Sequence, residues 1–222
     1  MRAVGLISWE TGTGQNTVAV NLAIGLARQG QRVLIINLNH SMRIFEWLRK
    51  SSGGEGLSYN HIYSSSYEVD FVYPDARDIE LEKLKYLEYD YAIINIGGEE
   101  KDFCKQGIAR CDLIIACTRL KSPDECNNLL ELQSKVKKYR QDERGLDLIL
   151  PMQIHSGEWE INSQRLFELM EAFGDEIIAD FLPHCERIHD LFITQQSVWQ
   201  IPQPAIIDAF DRMLERIKEL NS

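Results

Sequence analysis

The stretch from Val4 to Ala27, VGLISWETGTGQNTVAVNLAIGLA, constrains the fold of this chain more than any other. The apolar run Val4-Gly5-Leu6-Ile7 reads as a buried strand and Trp9 to Asn16 as a glycine-containing loop. A helix follows from about Asn16 to Arg28, with Val20, Ala23, Ile24 and Ala27 on its inner face and Gly30 as its left-handed stop. A second strand, Arg32 to Asn37, comes at once, so the spacing predicts a parallel β-α-β unit. Strand, loop, helix is the order of a phosphate-binding loop. There, glycines let backbone N–H groups wrap phosphates at the positive end of a helix, while a lysine and a hydroxyl engage the phosphate charge and Mg²⁺. Here the glycines are kept and the lysine is not.

These residues resemble the deviant Walker A motif of the ParA/MinD family, K-G-G-x-G-K-[ST]-[ST], followed by an A-x-N-L-A helix. Aligned on the glycines and on Val20-Asn21-Leu22-Ala23, the family's first lysine falls on Glu10 and its first glycine on Thr11. The next two glycines fall on Gly12 and Gly14, the central lysine on Gln15, and the two hydroxyl residues on Asn16 and Thr17. After the second strand the family carries D-x-D, where this chain reads Asn37-Leu38-Asn39; after a later strand it carries D-Y-x-x-x-D, where this chain reads Asp90-Tyr91-Ala92-Ile93-Ile94-Asn95, then Gly97-Gly98. Three motifs recur in the family's order, and each closes a predicted strand.

Taken together the replacements have a physical logic. In an active site of this kind a lysine and Mg²⁺ balance the phosphates, and aspartates hold the metal's waters or orient the attacking water. Without the cations, semi-buried carboxylates would stand unpaired at a cost of several kcal/mol. Asparagine fills nearly the same volume without the charge, so the pattern predicts a site relaxed into a neutral hydrogen-bonded network.

Composition narrows the function classes. The chain has 222 residues, enough for one sizeable core and short for two domains, with 44% hydrophobic and 26% charged residues. A net charge of −10 sets an unfavourable field for DNA phosphates or anionic lipid, which argues against strong DNA binding. No apolar run is long enough to span a bilayer and no signal pattern opens the sequence, so a cytoplasmic protein without membrane insertion is expected. The five cysteines (Cys104, Cys111, Cys117, Cys126, Cys185) form no C-x-x-C pair and read as reduced. His184-Cys185 with His189 lacks a supporting ligand pair, and no metal site is expected.

Further along, Ser41 to Lys50 reads as a short helix, Ser51 to Gly56 as a Ser/Gly loop, and Leu57 to Ser66 has no periodicity. Tyr67 to Tyr73 reads as a strand near an edge, Ile79 to Leu87 as an amphipathic helix, Tyr91 to Ile96 as a buried strand, and Glu99 to Ile108 as a helix or turn. Leu113 to Cys117 and Leu146 to Leu150 are buried strands around a helix from Ser122 to Lys138, capped by Ser122 with Pro123 at its first position. Ile161 to Phe173 reads as a helix and Glu176 to Phe181 as a final strand; where family members commonly end the strand before that helix with an adenine-reading asparagine, this chain offers Leu150-Pro151-Met152-Gln153, with Gln153 the candidate substitute. About Ala205 to Leu220 forms a helix with Ile206, Ile207, Phe210, Met213, Leu214, Ile217 and Leu220 on one face. Its mixed-charge outer face marks a core helix rather than a lipid anchor.

The fold expected is α/β, a single domain over residues 1–222, with a mostly parallel twisted sheet and helices on both faces. The resemblance implies a degenerate ParA/MinD-like P-loop protein, a pseudo-ATPase that serves as a binding or localisation factor in partitioning or in placing pilus, flagellar or division machinery. It leans away from an enzyme. Glu10, Gln15, Asn37, Asn39 and Asn95 occupy the family's catalytic positions, and Gly12, Thr13, Gly14, Gln15, Asn16 and Thr17 form the loop that would hold ATP weakly, with no cofactor expected. The alternatives are a slow ATPase rescued by Lys101, Lys105 or Lys121, and the inactive half of a heterodimer with an active ATPase. Expected partners are a second copy or such an ATPase.

Overall fold

The computed structural model describes residues 1–39, 41–49, 61–73, 88–97, 102–140 and 144–220. Eight strands form one sheet: β1 Arg2–Ile7, β2 Val33–Asn37, β3 Ile62–Ser64, β4 Val69–Val72, β5 Tyr91–Asn95, β6 Leu113–Thr118, β7 Leu148–Ile154 and β8 Leu182–Pro183. Their spatial order is β3-β4-β2-β5-β1-β6-β7-β8; β3 runs antiparallel to β4 and every other pairing is parallel. Among the described residues the α-helices are α1 Gln15–Arg28, α2 Arg43–Leu48, α3 Asp102–Arg110, α4 Glu125–Arg140, α5 Trp159–Phe173, α6 Ile188–Thr194 and α7 Pro204–Glu219.

The inner strands read as unbroken apolar runs because both sheet faces are covered. Successive residues of β2 alternate between two cores. Val33 and Ile35 join α1, α2 and α7 on one face, and Leu34 and Ile36 join α3 and α4 on the other. Full burial of each such side chain stabilises the fold by about 1.5–3 kcal/mol.

α1 is the central helix of the first face. It starts from Gly14 in the left-handed region (φ 96°) and ends in a Schellman motif at Gly30 (φ 81°), where Gly30 N–H donates to Ala27 O and Gln31 N–H to Leu26 O. The sequence predicts a single inner face, whereas every residue from Val18 to Ala27 is buried. The reason is α7, which lays Ile206, Phe210, Met213, Leu214 and Ile217 against it, so the C-terminal helix is a core element as expected. Ile207 is only half-buried and Leu220 is 41% exposed, outside that face. Gly25 permits the close approach, since a Cβ there would lie 2.5 Å from Leu214 Cδ1 and 2.6 Å from Trp199.

Four expectations are corrected. The segment without periodicity contains β3, whose pairing leaves β4 second from the edge, near it as expected. Glu176 to Phe181 is not a strand: Gly174 (φ 88°) leads into a 3₁₀ turn at Asp175–Ile177, Ile178 makes one isolated bridge to Ile149, and the strand is the later Leu182–Pro183. The helix predicted from Ser122 begins at Glu125, with the Ser122 hydroxyl accepting the Asp124 N–H at 3.1 Å in the preceding turn. β7 runs past Leu150 to Ile154 and carries Pro151 within it. The predicted helix Ile79 to Leu87, the Ser51 to Gly56 loop, Gly98 and Lys101 lie outside the described residues.

Candidate functional site

The loop between β1 and α1 emerges at the carboxyl end of the sheet, where chain connections leave β1 in both directions: β2 and β5 lie to one side, β6 and β7 to the other. Such switch points open crevices in α/β sheets. The crevice here is a cleft of ≈ 940 Å³ lined by the whole run from Ser8 to Thr17, by Asn39, Ser41 and Arg43, by Met152 and Gln153 at the end of β7, and by the segment from Leu182 to Glu186. All six predicted loop residues, Gly12 to Thr17, therefore face one site. Gly12 (φ 78°) and Gly14 (φ 96°) supply the backbone turns, and Gly14 also makes room for Met152, whose Cε would lie 2.8 Å from an added Cβ.

Gln15 is 5% exposed, and its amide turns away from the loop to close the space between two strand ends. Its Nε2 lies 2.8 Å from each of Leu6 O, Asn95 Oδ1 and Ile96 O, while its Oε1 accepts the Ser8 hydroxyl at 2.7 Å. Asn95, fully buried and opposite Asn37 in the register of β5 on β2, donates from Nδ2 to Asn37 Oδ1 (2.6 Å) and Asn16 Oδ1 (2.9 Å). Asn37 donates in turn to Asn39 O (2.8 Å) and Ser41 O (3.0 Å), and Asn39 Oδ1 accepts the Ser41 N–H (3.2 Å). Asn16 Nδ2 donates to Ser41 Oγ at 3.2 Å, and the Tyr73 hydroxyl donates to Ser41 O at 2.6 Å. Burial pushes the Tyr73 phenol up to about 12, so it stays neutral across the working range.

The result is a chain of neutral groups from Ser8 through Gln15, Asn95, Asn37 and Ser41 to Tyr73. The residues at the family's lysine and aspartate positions meet one another, with Asn37 and Asn95 behind the cleft wall and Gln15, Asn16 and Asn39 on it. Three members of the chain, Ser8, Ser41 and Tyr73, lie outside the motifs. Ser8 had a signal in its place at the end of the first strand; Ser41 and Tyr73 are joined across 32 positions and had none.

Glu10 stands at the cleft mouth and pairs with Arg119, whose Nη2 lies 3.0 Å from Glu10 Oε1. Arg119 is a residue the sequence does not single out, and its guanidinium also lies beside Gly12. Close by, Glu125 is 4% exposed against the Thr118 hydroxyl; burial is the main cause that holds its carboxyl above the ordinary value of 4.5, and Glu10 adds to the rise. Of the lysines considered for rescue, Lys105 pairs with Asp102 on α3 at 2.9 Å and Lys121 is exposed, and neither lines the cleft. Gln153, at the predicted adenine position, sits in the left-handed region (φ 57°) and reaches Gly12 O at 3.4 Å.

The His184 and His155 rings stack at 3.7 Å on the far side of the cleft, and burial together with His155 lowers the His184 pKa. Among the described residues no group of three or more His, Cys, Asp or Glu side chains is placed to hold a metal. Cys104, Cys111 and Cys117 are buried cysteines outside any disulfide, and burial holds the Cys117 thiol up at about 12. Among the described residues no helix is long and apolar enough to cross a membrane.

No family model matches the chain, and no curated protein matches it in sequence. Solved structures do match, over nearly full length on both sides. The septum site-determining protein MinD of Pyrococcus horikoshii, complexed with Mg-ADP, has a TM-score of 0.80 at 16% identity, covering 100% of this chain and 97% of its own. A Borrelia burgdorferi protein described as a plasmid partition protein, bound to AMPPNP, gives 0.79 at 14%, with 98% of each chain covered. McdA of Cyanothece gives 0.78 at 14%, covering 98% of this chain and 99% of its own. The fold is that of the ParA/MinD-type proteins.

Proposed function

We propose that this chain is a pseudo-ATPase of ParA/MinD architecture, one domain over residues 1–222 that acts as a binding platform in cellular positioning rather than as a nucleotide-driven machine. One observation carries the reading: the Gln15 amide is held by Leu6 O, Asn95 Oδ1 and Ile96 O, away from the loop. A lysine at that position has a charge to offer a phosphate. The amide has none, and to reach the loop it would have to leave three acceptors at hydrogen-bond distance.

Each charge-assisted hydrogen bond lost from a phosphate site removes about 1.5–3 kcal/mol, or roughly tenfold or more in affinity. Gln15 and Glu10 stand for two such losses. Mg²⁺ would meet amides where it needs carboxylates, since Asn37, Asn39 and Asn95 bring neutral oxygens that already accept from Asn95, the Ser41 N–H and Gln15 respectively. Glycines Gly12 and Gly14 with the first amides of α1 can still hold a small anion weakly. The place in positioning is drawn from the similar structures, which include a septum site-determining protein and a plasmid partition protein.

Calorimetric titration with ATP, ADP and GTP, with and without Mg²⁺, tests the reading. No heat of binding is expected up to millimolar nucleotide. Micromolar, Mg²⁺-dependent ATP binding would overturn it.

A further inference from the structure

The cleft has an apolar wall as well as its polar loop. At ≈ 940 Å³ it falls in the size range of pockets that enclose a small organic molecule. Beyond the loop its lining comprises Met152 of β7, Leu182 of β8, Ile188 and Phe192 of α6, Trp47 of α2 and Phe210 of α7. Met152, Leu182, Trp47 and Phe210 are buried members of the first core, so the core itself forms this wall. The pairing of β7 with β8 is irregular between Met152 and Ile154, where Gln153 takes its positive φ, and Met152 lays its methyl group against Gly14. A thioether thus covers part of the glycine turn, where a phosphate would need backbone N–H groups.

One guanidinium belongs to this wall. Arg43, exposed at the start of α2, lines the cleft with its guanidinium carbon 5.8 Å from the Phe192 ring centroid, and it makes no ion pair with any described carboxylate. The two carboxylates of the lining are engaged elsewhere: Glu10 pairs with Arg119 at 3.0 Å, and Glu186 stands beside His184 on the far side. Ser41, whose hydroxyl oxygen accepts the Arg43 N–H at 3.3 Å, lines the same end of the cleft. A guanidinium resting on an aromatic ring presents its fork of N–H donors to a carboxylate.

We infer that the cleft binds a small amphipathic carboxylic acid, its carboxylate on Arg43 and its aliphatic body between Met152, Leu182, Ile188 and Phe192. The inference rests on the reading above, that nucleotide does not take this cleft, and it names the ligand class that the same walls accept instead. A nucleoside triphosphate brings several negative charges and a metal ion, and the loop has lost the groups that balance them. A carboxylate brings one charge, which one guanidinium balances, and an aliphatic body gains from the apolar wall what a ribose or a phosphate does not. An amphiphile with a cationic head would meet Arg43 as a like charge.

The test is calorimetric titration of the full chain with sodium decanoate below its micelle concentration, with decylammonium and Mg²⁺–ATP as comparators. Decanoate should saturate one site, decylammonium should bind about tenfold more weakly or less, and Mg²⁺–ATP should neither give heat nor displace decanoate. Because Arg43 is exposed, Arg43→Ala should leave the far-ultraviolet dichroism unchanged and weaken decanoate by about tenfold, the loss of a charge-assisted hydrogen bond. Ile188→Asp, at a half-buried position, should weaken it by a similar factor of about ten by setting a carboxylate on the wall. No saturable heat up to millimolar decanoate, with Mg²⁺–ATP silent as well, would overturn this inference and leave the pseudo-ATPase reading standing. Decanoate binding untouched by both substitutions, or matched by decylammonium, would also overturn it. Mg²⁺–ATP that binds and displaces decanoate would overturn the pseudo-ATPase reading and this inference with it.

Discussion

The two ends of the central strands treat buried polarity in opposite ways. At the amino ends, carboxylates are kept. Asp112, itself exposed, accepts the Ala3 N–H at 2.8 Å, and Asp147, 22% exposed, accepts both the Ile114 N–H (2.7 Å) and the guanidinium of Arg140 (2.6 Å), whose side chain is 2% exposed and buried beneath it. At the carboxyl ends, beside the cleft, the corresponding places hold Gln15, Asn37 and Asn95. The chain therefore does not avoid buried charge in general. It keeps charge where its own sequence supplies the counter-charge, and it is neutral where the balance would have to come from a lysine and a bound metal.

Substitutions at the two ends should therefore act differently. The largest effect is expected at the amino end: Asp147→Ala leaves Arg140 facing a missing carboxylate and Ile114 N–H without its acceptor, and should cost about 3 kcal/mol in urea unfolding. At the carboxyl end, Gln15→Lys places an ammonium where all the acceptors are neutral and should cost about 2 kcal/mol; adding Asn95→Asp should return about 1.5 kcal/mol of it in a double-mutant cycle. If Gln15→Lys proves harmless alone, the two ends do not differ in the way described. Full reversion, with Asn37→Asp and Asn39→Asp as well, is expected to leave ATP turnover negligible in a phosphate-release assay.

Glu125 tests the boundary between the two regimes, as a buried carboxylate near the cleft. Its folded pKa is raised, so the native state holds the proton more tightly than the unfolded chain does. The stabilisation is fully present below the ordinary value of 4.5 and is lost as pH rises through the raised one. Unfolding midpoints should accordingly fall as pH rises through the acid range toward neutrality, and Glu125→Gln should flatten that slope. The smallest change is expected from Glu10→Ala, which removes a pair whose carboxylate is 44% exposed and should shift stability by less than about 0.5 kcal/mol.

Much of the fold was legible because buried parallel strands and amphipathic helices write themselves into local pattern. Val33 to Ile36 and Leu113 to Cys117 are apolar throughout, and Gly30 ends α1 where its left-handed conformation is needed. Ile62–Ser64 was not legible, because three residues at a sheet edge owe their extended form to β4 and not to their own periodicity. Glu176 to Phe181 misled for the reverse reason: apolar content is high, but Gly174 and the 3₁₀ turn give the backbone a different course. The site shows the same division. Spacing brought Gln15, Asn37, Asn39 and Asn95 to one place, while the direction of the Gln15 amide depends on oxygens 80 and 81 positions away. Nothing local announced that Arg119 would answer Glu10 across 109 positions.

The closed bonding of Gln15 has a further consequence. A loop that waits for its ligand gains order on binding, and that gain is what lets a nucleotide act as a timer, favouring one shape when present and another when spent. Here the amide already joins β1, α1 and β5 from within, so the protein's own hydrogen bonds hold loop and strand ends in one arrangement. A ligand shifts a conformational equilibrium only as far as it binds the two states differently, and an arrangement fixed from inside gives it little to choose between. On the proposed reading the protein is constitutive: its partner meets the same surface at every moment of the cell's energy cycle.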